Sequence, residues 1–94
     1  MINIEWTERA VADLYEIDDY WAAYSDDTAA RMADRIEAAA AFLATMPRAG
    51  PAVQRHDARK WRVPASPYLL IYRLARNSIQ ILRVRHGREN WEFE

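Results

Sequence analysis

Cysteine is absent from this 94-residue chain, which removes disulfide bonds and thiolate zinc sites together. Histidine occurs twice, at His56 and His86, too few for an imidazole cage, so neither a metal nor a cofactor is expected. Lysine occurs once, at Lys60, leaving arginine as twelve of the thirteen basic residues. No run approaches the roughly 18 apolar residues of a membrane span. The opening MINIEWTERA lacks the basic and apolar regions of a signal peptide, and a cytoplasmic location is expected. Repeats, linkers and low-complexity segments are missing too, so residues 1–94 are read as a single domain with one core.

What remains is 51% hydrophobic and 29% charged, the composition of a globular protein. The net charge of -1 hides an asymmetry. Residues 1–46 carry ten acids against three bases, and residues 47–94 carry four acids against ten bases, or -7 and +6. Two readings follow: an acidic helical layer facing water above basic strands, or a basic face kept for an acidic protein or a nucleic acid. Arginine suits the second, because its fork matches carboxylate and phosphate.

Hydrophobic periodicity orders the chain. Asn3 to Trp6 read as a short strand, with Thr7 as N-cap of a first helix and Glu8 in its first turn. Ala10, Leu14, Ile17, Trp21 and Tyr24 recur at helical spacing and predict a buried stripe. Ser25, Asp26 and Asp27 break that helix and cap a second. Its buried face is expected to carry Ala29, Met32, Ile36, Ala39, Leu43 and Met46, and Pro47 and Gly50-Pro51 end it. The period then changes from 3.6 to 2. Strands are expected over Arg59 to Val63, Tyr68 to Ala75 and Ile79 to Arg85, with turns at Ala65-Ser66-Pro67 and Arg76-Asn77-Ser78. The fold class is α+β, β-α-α-β-β-β, a helical hairpin packed on one face of a small, mainly antiparallel sheet. Where the first strand joins the sheet is left open by the pattern.

Alternation divides the Tyr68 to Ala75 strand into Leu70, Tyr72 and Leu74 on one face and Leu69, Ile71 and Arg73 on the other. Tyr68 and Tyr72 share a face and are read as core. Trp61 alternates with Lys60 and Arg62 and is read as a core or edge aromatic. Arginines 73, 83, 85 and 88 are expected to cluster at one end of the sheet, where an electrostatic partner would be met, with His86 among them.

A helical hairpin ending in L-x-x-x-P-x-x-G, then A-R-K-W-R-V, Y-L-L-I-Y-R-L, and I-x-I-L-R-V-R-H-G-R-x-x-W, resembles the ParE branch of the ParE/RelE toxin superfamily from about Ile4 to Trp91. The resemblance implies a plasmid-stabilisation type of toxin in a type II toxin-antitoxin system, neutralised by a cognate, ParD-like antitoxin. The ParE branch is associated with poisoning DNA gyrase and the RelE branch with ribosome-dependent cleavage of mRNA. The catalytic arginine of the nuclease branch aligns with Leu69, only one lysine is present, and Gly87 follows His86 where a tyrosine would stand. A leucine cannot neutralise the charge that builds on phosphorus.

No catalytic residue is therefore assigned; the nuclease alternative rests on His86 as general base with Arg83 and Arg85 at the phosphate. A non-toxic module that keeps only antitoxin binding is the remaining alternative. Arg59, Arg73 and Arg83 are expected to meet antitoxin acids, with exposed Leu69 and Ile71 as apolar anchors. An apolar groove outside the helix pair, or a sheet edge, offers further room for that partner. Arg85, His86, Arg88 and Trp91 are the candidates for meeting the target.

Overall fold

The computed structural model describes residues 2–53 and 57–87. The elements are β1 (Asn3–Trp6), α1 (Glu8–Ala22), α2 (Asp26–Thr45), β2 (Ala58–Arg62), β3 (Tyr68–Ala75) and β4 (Ser78–His86), in the expected order β-α-α-β-β-β. The two helices lie on one face of a four-stranded sheet ordered β1-β4-β3-β2. β2, β3 and β4 form an antiparallel meander, while β1 runs parallel to β4 at the sheet's edge. β4 begins at Ser78 rather than Ile79 and ends at His86 rather than Arg85, and Val63 lies just beyond β2. Even so, Val63 is fully buried and its N–H donates to the Tyr68 carbonyl at 2.9 Å.

Side-chain caps start both helices. Thr7 is extended and its Oγ1 accepts from the Ala10 N–H, satisfying one of the donors that a first turn leaves open. The same hydroxyl donates to the Leu82 carbonyl at 3.0 Å, fastening the start of α1 to β4. Ser25 caps α2 through the Thr28 N–H at 3.0 Å, and Asp26 and Asp27 face the positive helix terminus.

The core lies between the layers. Ala10 of α1, Ile36 and Leu43 of α2, Leu70 and Tyr72 of β3, and Ile79 and Ile81 of β4 have no exposed surface. Each such Leu or Ile contributes about 1.5–3 kcal/mol through burial. Tyr68 and Tyr72 share this face, and Trp61 packs against its rim, stacked on Phe42 with ring centroids 5.2 Å apart. Tyr72 also ties down the chain that follows α2: its hydroxyl donates to the Pro47 carbonyl at 2.8 Å and accepts from the Gly50 N–H at 3.0 Å. Burial pushes the Tyr72 hydroxyl above its ordinary pKa of 10.0, partly opposed by the Gly50 N–H and the Arg59 charge. Gly50 has to be glycine here, since a Cβ would collide with the Lys60 carbonyl and the Tyr72 hydroxyl.

Two members of the expected helical stripes are exposed instead. Tyr24 is 70% accessible and Met46 55%, because α1 ends at Ala22 and α2 at Thr45. Past those ends the helical period no longer places a side chain over the core.

Candidate functional site

The register of the meander assembles a surface on the face of the sheet away from the helices. Cross-strand partners point to the same side. Arg62, Leu69 and Arg85 therefore form one row across β2, β3 and β4; Lys60, Ile71 and Arg83 form the next; Ala58, Arg73 and Gln80 form the third. A short apolar strip on β3 is thus flanked on both sides by long cationic side chains. Arg73 is exposed and its Nε donates to Gln80 Oε1. Glu5 continues the third row onto β1 and accepts from Ser78 Oγ at 2.6 Å, an acid at the margin of the basic face.

Leu69 is half-buried, but Ile71, expected to be an exposed anchor, is buried at 7% accessibility. Its two cross-strand neighbours, Lys60 and Arg83, are both half-buried and carry long aliphatic stems of the kind that cover apolar surface.

Arg83 is tied into the fold as well as into this face. Between Tyr72 and Ile71 the register of β3 and β4 slips, so that Leu82 has no opposite residue on β3 and the strand is locally re-aimed. β1 ends at Trp6, opposite Ile81, and among the described residues no strand pairs with the outer edge of β4 beyond that point. Asp13 of α1 fills the gap. Its Oδ2 accepts from the Val84 N–H at 2.9 Å and from Arg83 Nε at 2.8 Å, and its Oδ1 accepts from Arg83 Nη2 at 3.0 Å. A buried carboxylate thus caps an open strand edge and holds the arginine by a fork.

Arg59 alternates onto the helix-covered side, opposite Tyr72, and its Nη1 donates to the carbonyls of Gly50 at 2.7 Å and Arg48 at 3.3 Å. His86 also faces the helix side: it pairs with Tyr68, and the two rings meet edge to face at 6.0 Å. Arg85, one residue earlier, projects from the other face. The structure brings Leu69, Ile71, Arg73, Arg83 and Arg85 onto one face and separates His86 and Arg59 from them; the arginines do not cluster at one end of the sheet, because the register puts Arg73 and Arg85 in rows four residues apart along β3. Arg88 and Trp91 lie outside the described residues, as does His56.

Sequence reasoning passed over Asp13, Lys60 and Arg62 as site residues. Lys60 and Arg62 were legible in the alternation about Trp61; Asp13 carried a weaker sign, an acid on the flank of an apolar helical stripe. Among the described residues, no group of three or more His, Cys, Asp or Glu could hold a metal, and no helix is long and apolar enough to cross a membrane. A groove of about 290 Å³ runs between the helices on their outer side, floored by Leu14, Ile17, Ala29 and Ile36 and rimmed by Asp18 and Glu37.

A helical hairpin on a four-stranded mixed sheet, with the opposite face basic and partly apolar, defines a small two-layer domain of the ParE/RelE-like fold. In the chromosomal ParDE TA system from P. aeruginosa, a chain 25% identical to this one superimposes with a TM-score of 0.81, covering 92% of this chain and 96% of that one. Residues 4–91 match the family described as ParE toxin of type II toxin-antitoxin system, parDE, and the chain belongs to that family. Toxin RelE2 of Caulobacter vibrioides is 38% identical over 87 residues, 93% of this chain and 97% of that protein. Y4kP of Sinorhizobium fredii is 35% identical over 89 residues, 95% and 92% of the respective chains.

Proposed function

We propose that this ParE-family toxin arrests growth by binding and poisoning DNA gyrase, and that a ParD-like antitoxin silences it by direct binding. Family membership supports the toxin-antitoxin setting, and the similar chain from P. aeruginosa comes from a ParDE system. The antitoxin is placed on the open face of the sheet, where acidic side chains would meet Arg62, Arg73 and Arg85 around Leu69. The helix groove, with its apolar floor, offers a second seat for the same chain.

One observation carries the choice of target. Metal-free RNA cleavage needs a base and a phosphate-binding cation converging on one nucleotide. His86 and Arg85 leave β4 on opposite faces, and Arg83 is forked onto Asp13. That arrangement favours a protein-binding toxin over a ribosome-dependent mRNA endonuclease.

The test is a supercoiling and cleavage assay with purified DNA gyrase, toxin alone and toxin preincubated with antitoxin. Loss of supercoiling with trapped double-strand breaks, relieved by antitoxin and unchanged in His86→Ala, is the expected outcome. Normal gyrase activity beside transcript cuts that His86→Ala abolishes would establish the nuclease reading instead. Normal gyrase activity, intact transcripts and retained antitoxin binding would leave the non-toxic module.

A further inference from the structure

The end of the helical hairpin carries a second surface, apart from the open sheet face and opposite in charge. Tyr20 and Tyr24 are 56% and 70% exposed, large apolar rings with no core to serve. They are nevertheless set in fixed relation. Tyr20 and Tyr24 have ring centroids 5.6 Å apart, Trp21 meets Tyr20 edge to face at 5.1 Å, and Trp21 lies 5.8 Å from Tyr24. Trp21 is in turn pinned to the sheet, its Nε1 donating to the Tyr68 hydroxyl at 2.8 Å. The exposed rings therefore stand on an anchored base, which lowers the ordering cost of any contact they make.

The sequence on either side of them is charged with one sign. Between Arg9 and Arg31 the chain carries Glu16, Asp18, Asp19, Asp26 and Asp27, besides the Asp13 already paired with Arg83, and no base. Glu16 stands one helical turn before Tyr20, on the same side of α1. The last turn of α1 holds no basic residue, so its negative dipole end is uncompensated by the helix itself. Aromatic faces, carboxylates and a helix C-terminus all favour the same guest, a cation with a flat face.

We propose that this hairpin end docks an arginine-bearing basic segment of a partner protein, with guanidinium groups stacked on Tyr20 and Tyr24 and neutralised by the neighbouring acids. The argument for this occupant is charge complementarity, and it stands whether or not gyrase is the target. An acidic antitoxin segment suits the basic sheet face and is repelled here, so the two surfaces can be occupied by different partners at once.

The test uses the full chain and two probes, an eight-residue alternating Arg-Ala peptide and its Glu-Ala counterpart, titrated while tyrosine ring resonances are followed by NMR. Expected is Arg-Ala binding that shifts the Tyr20 and Tyr24 rings and weakens by at least about tenfold in the Tyr20→Ala/Tyr24→Ala variant. The Tyr20→Phe/Tyr24→Phe variant, which keeps the ring faces, should retain binding within about threefold. Equal binding of both peptides, or an Arg-Ala affinity indifferent to loss of the two rings, overturns the proposal. Sedimentation of the chain alone separates the other occupant: self-association abolished by the double alanine variant would assign the surface to a second copy's basic face and overturn the partner reading.

Discussion

On the helix-covered face of β3, Leu70 and Tyr72 have no exposed surface; on its open face, Leu69 is half-buried and Arg73 lies in solvent. The strand is the same and its alternation is regular. What differs is what lies opposite: α2 and the segment after it on one side, and on the other, among the described residues, the neighbouring strands' long basic side chains. Substitutions on the first face should therefore act on stability and those on the second on affinity. Arg83, which belongs to an open-face row and is also forked onto Asp13 of α1, should act on both.

The strongest way to break this division is Asp13→Ala, which removes the carboxylate shared by Arg83 and the Val84 N–H. Thermal or denaturant unfolding should show a loss of about 3 kcal/mol, the lower end for a buried pair because the Arg83 side chain keeps 23% of its surface exposed. Next is Tyr72→Phe, which leaves the buried Gly50 N–H without its acceptor and should cost about 2 kcal/mol. It also carries a pH signature. Because the folded pKa of Tyr72 lies above 10.0, its contribution is complete below about pH 10 and is lost as pH rises through the folded value. The wild type should therefore lose stability faster than Tyr72→Phe above pH 10, and parallel curves would contradict the assignment. Tyr20, also raised, through its hydrogen bond to Tyr24, is common to both proteins and cancels.

On the open face, Arg73→Glu should leave the unfolding free energy within about 0.5 kcal/mol of wild type yet weaken antitoxin binding by at least about tenfold, or about 1.4 kcal/mol. Arg83→Glu should lose affinity together with stability, and Arg59→Glu, on the helix-covered side, stability alone, so an exposed arginine such as Arg73 isolates the interface. The smallest effect belongs to the β2–β3 connection. Ala65 sits at φ 58, where a Cβ is strained, and its carbonyl accepts from Arg35 Nη1 at 2.9 Å. Ala65→Gly should stabilise by about 0.5 kcal/mol, since relief of strain is offset by the freedom glycine gains on unfolding.

Much of this was written in local pattern. The period-2 run from Tyr68 to Ala75 identified both faces of β3, and the capping residues Thr7 and Ser25 marked the helix starts at the right positions. Contacts between distant parts of the chain were less legible. The Asp13–Arg83 fork joins residues 70 apart, and nothing near either one announces the other. The slip at Leu82 is invisible for the same reason: a bulge is set by how β4 pairs, and the hydrophobic pattern runs through it undisturbed. The parallel place of β1 depends on the path of two helices rather than on its own four residues. Ile71 was misjudged because a strand's alternation gives direction, while burial also depends on how long the neighbouring side chains are.

The most direct test of the account is the affinity of Arg73→Glu for the cognate antitoxin, measured by calorimetry beside its thermal unfolding. At least a tenfold loss of affinity with an unchanged melting temperature would place the antitoxin on the open face of the sheet. Wild-type affinity in this variant would contradict the account and move the partner elsewhere on the molecule.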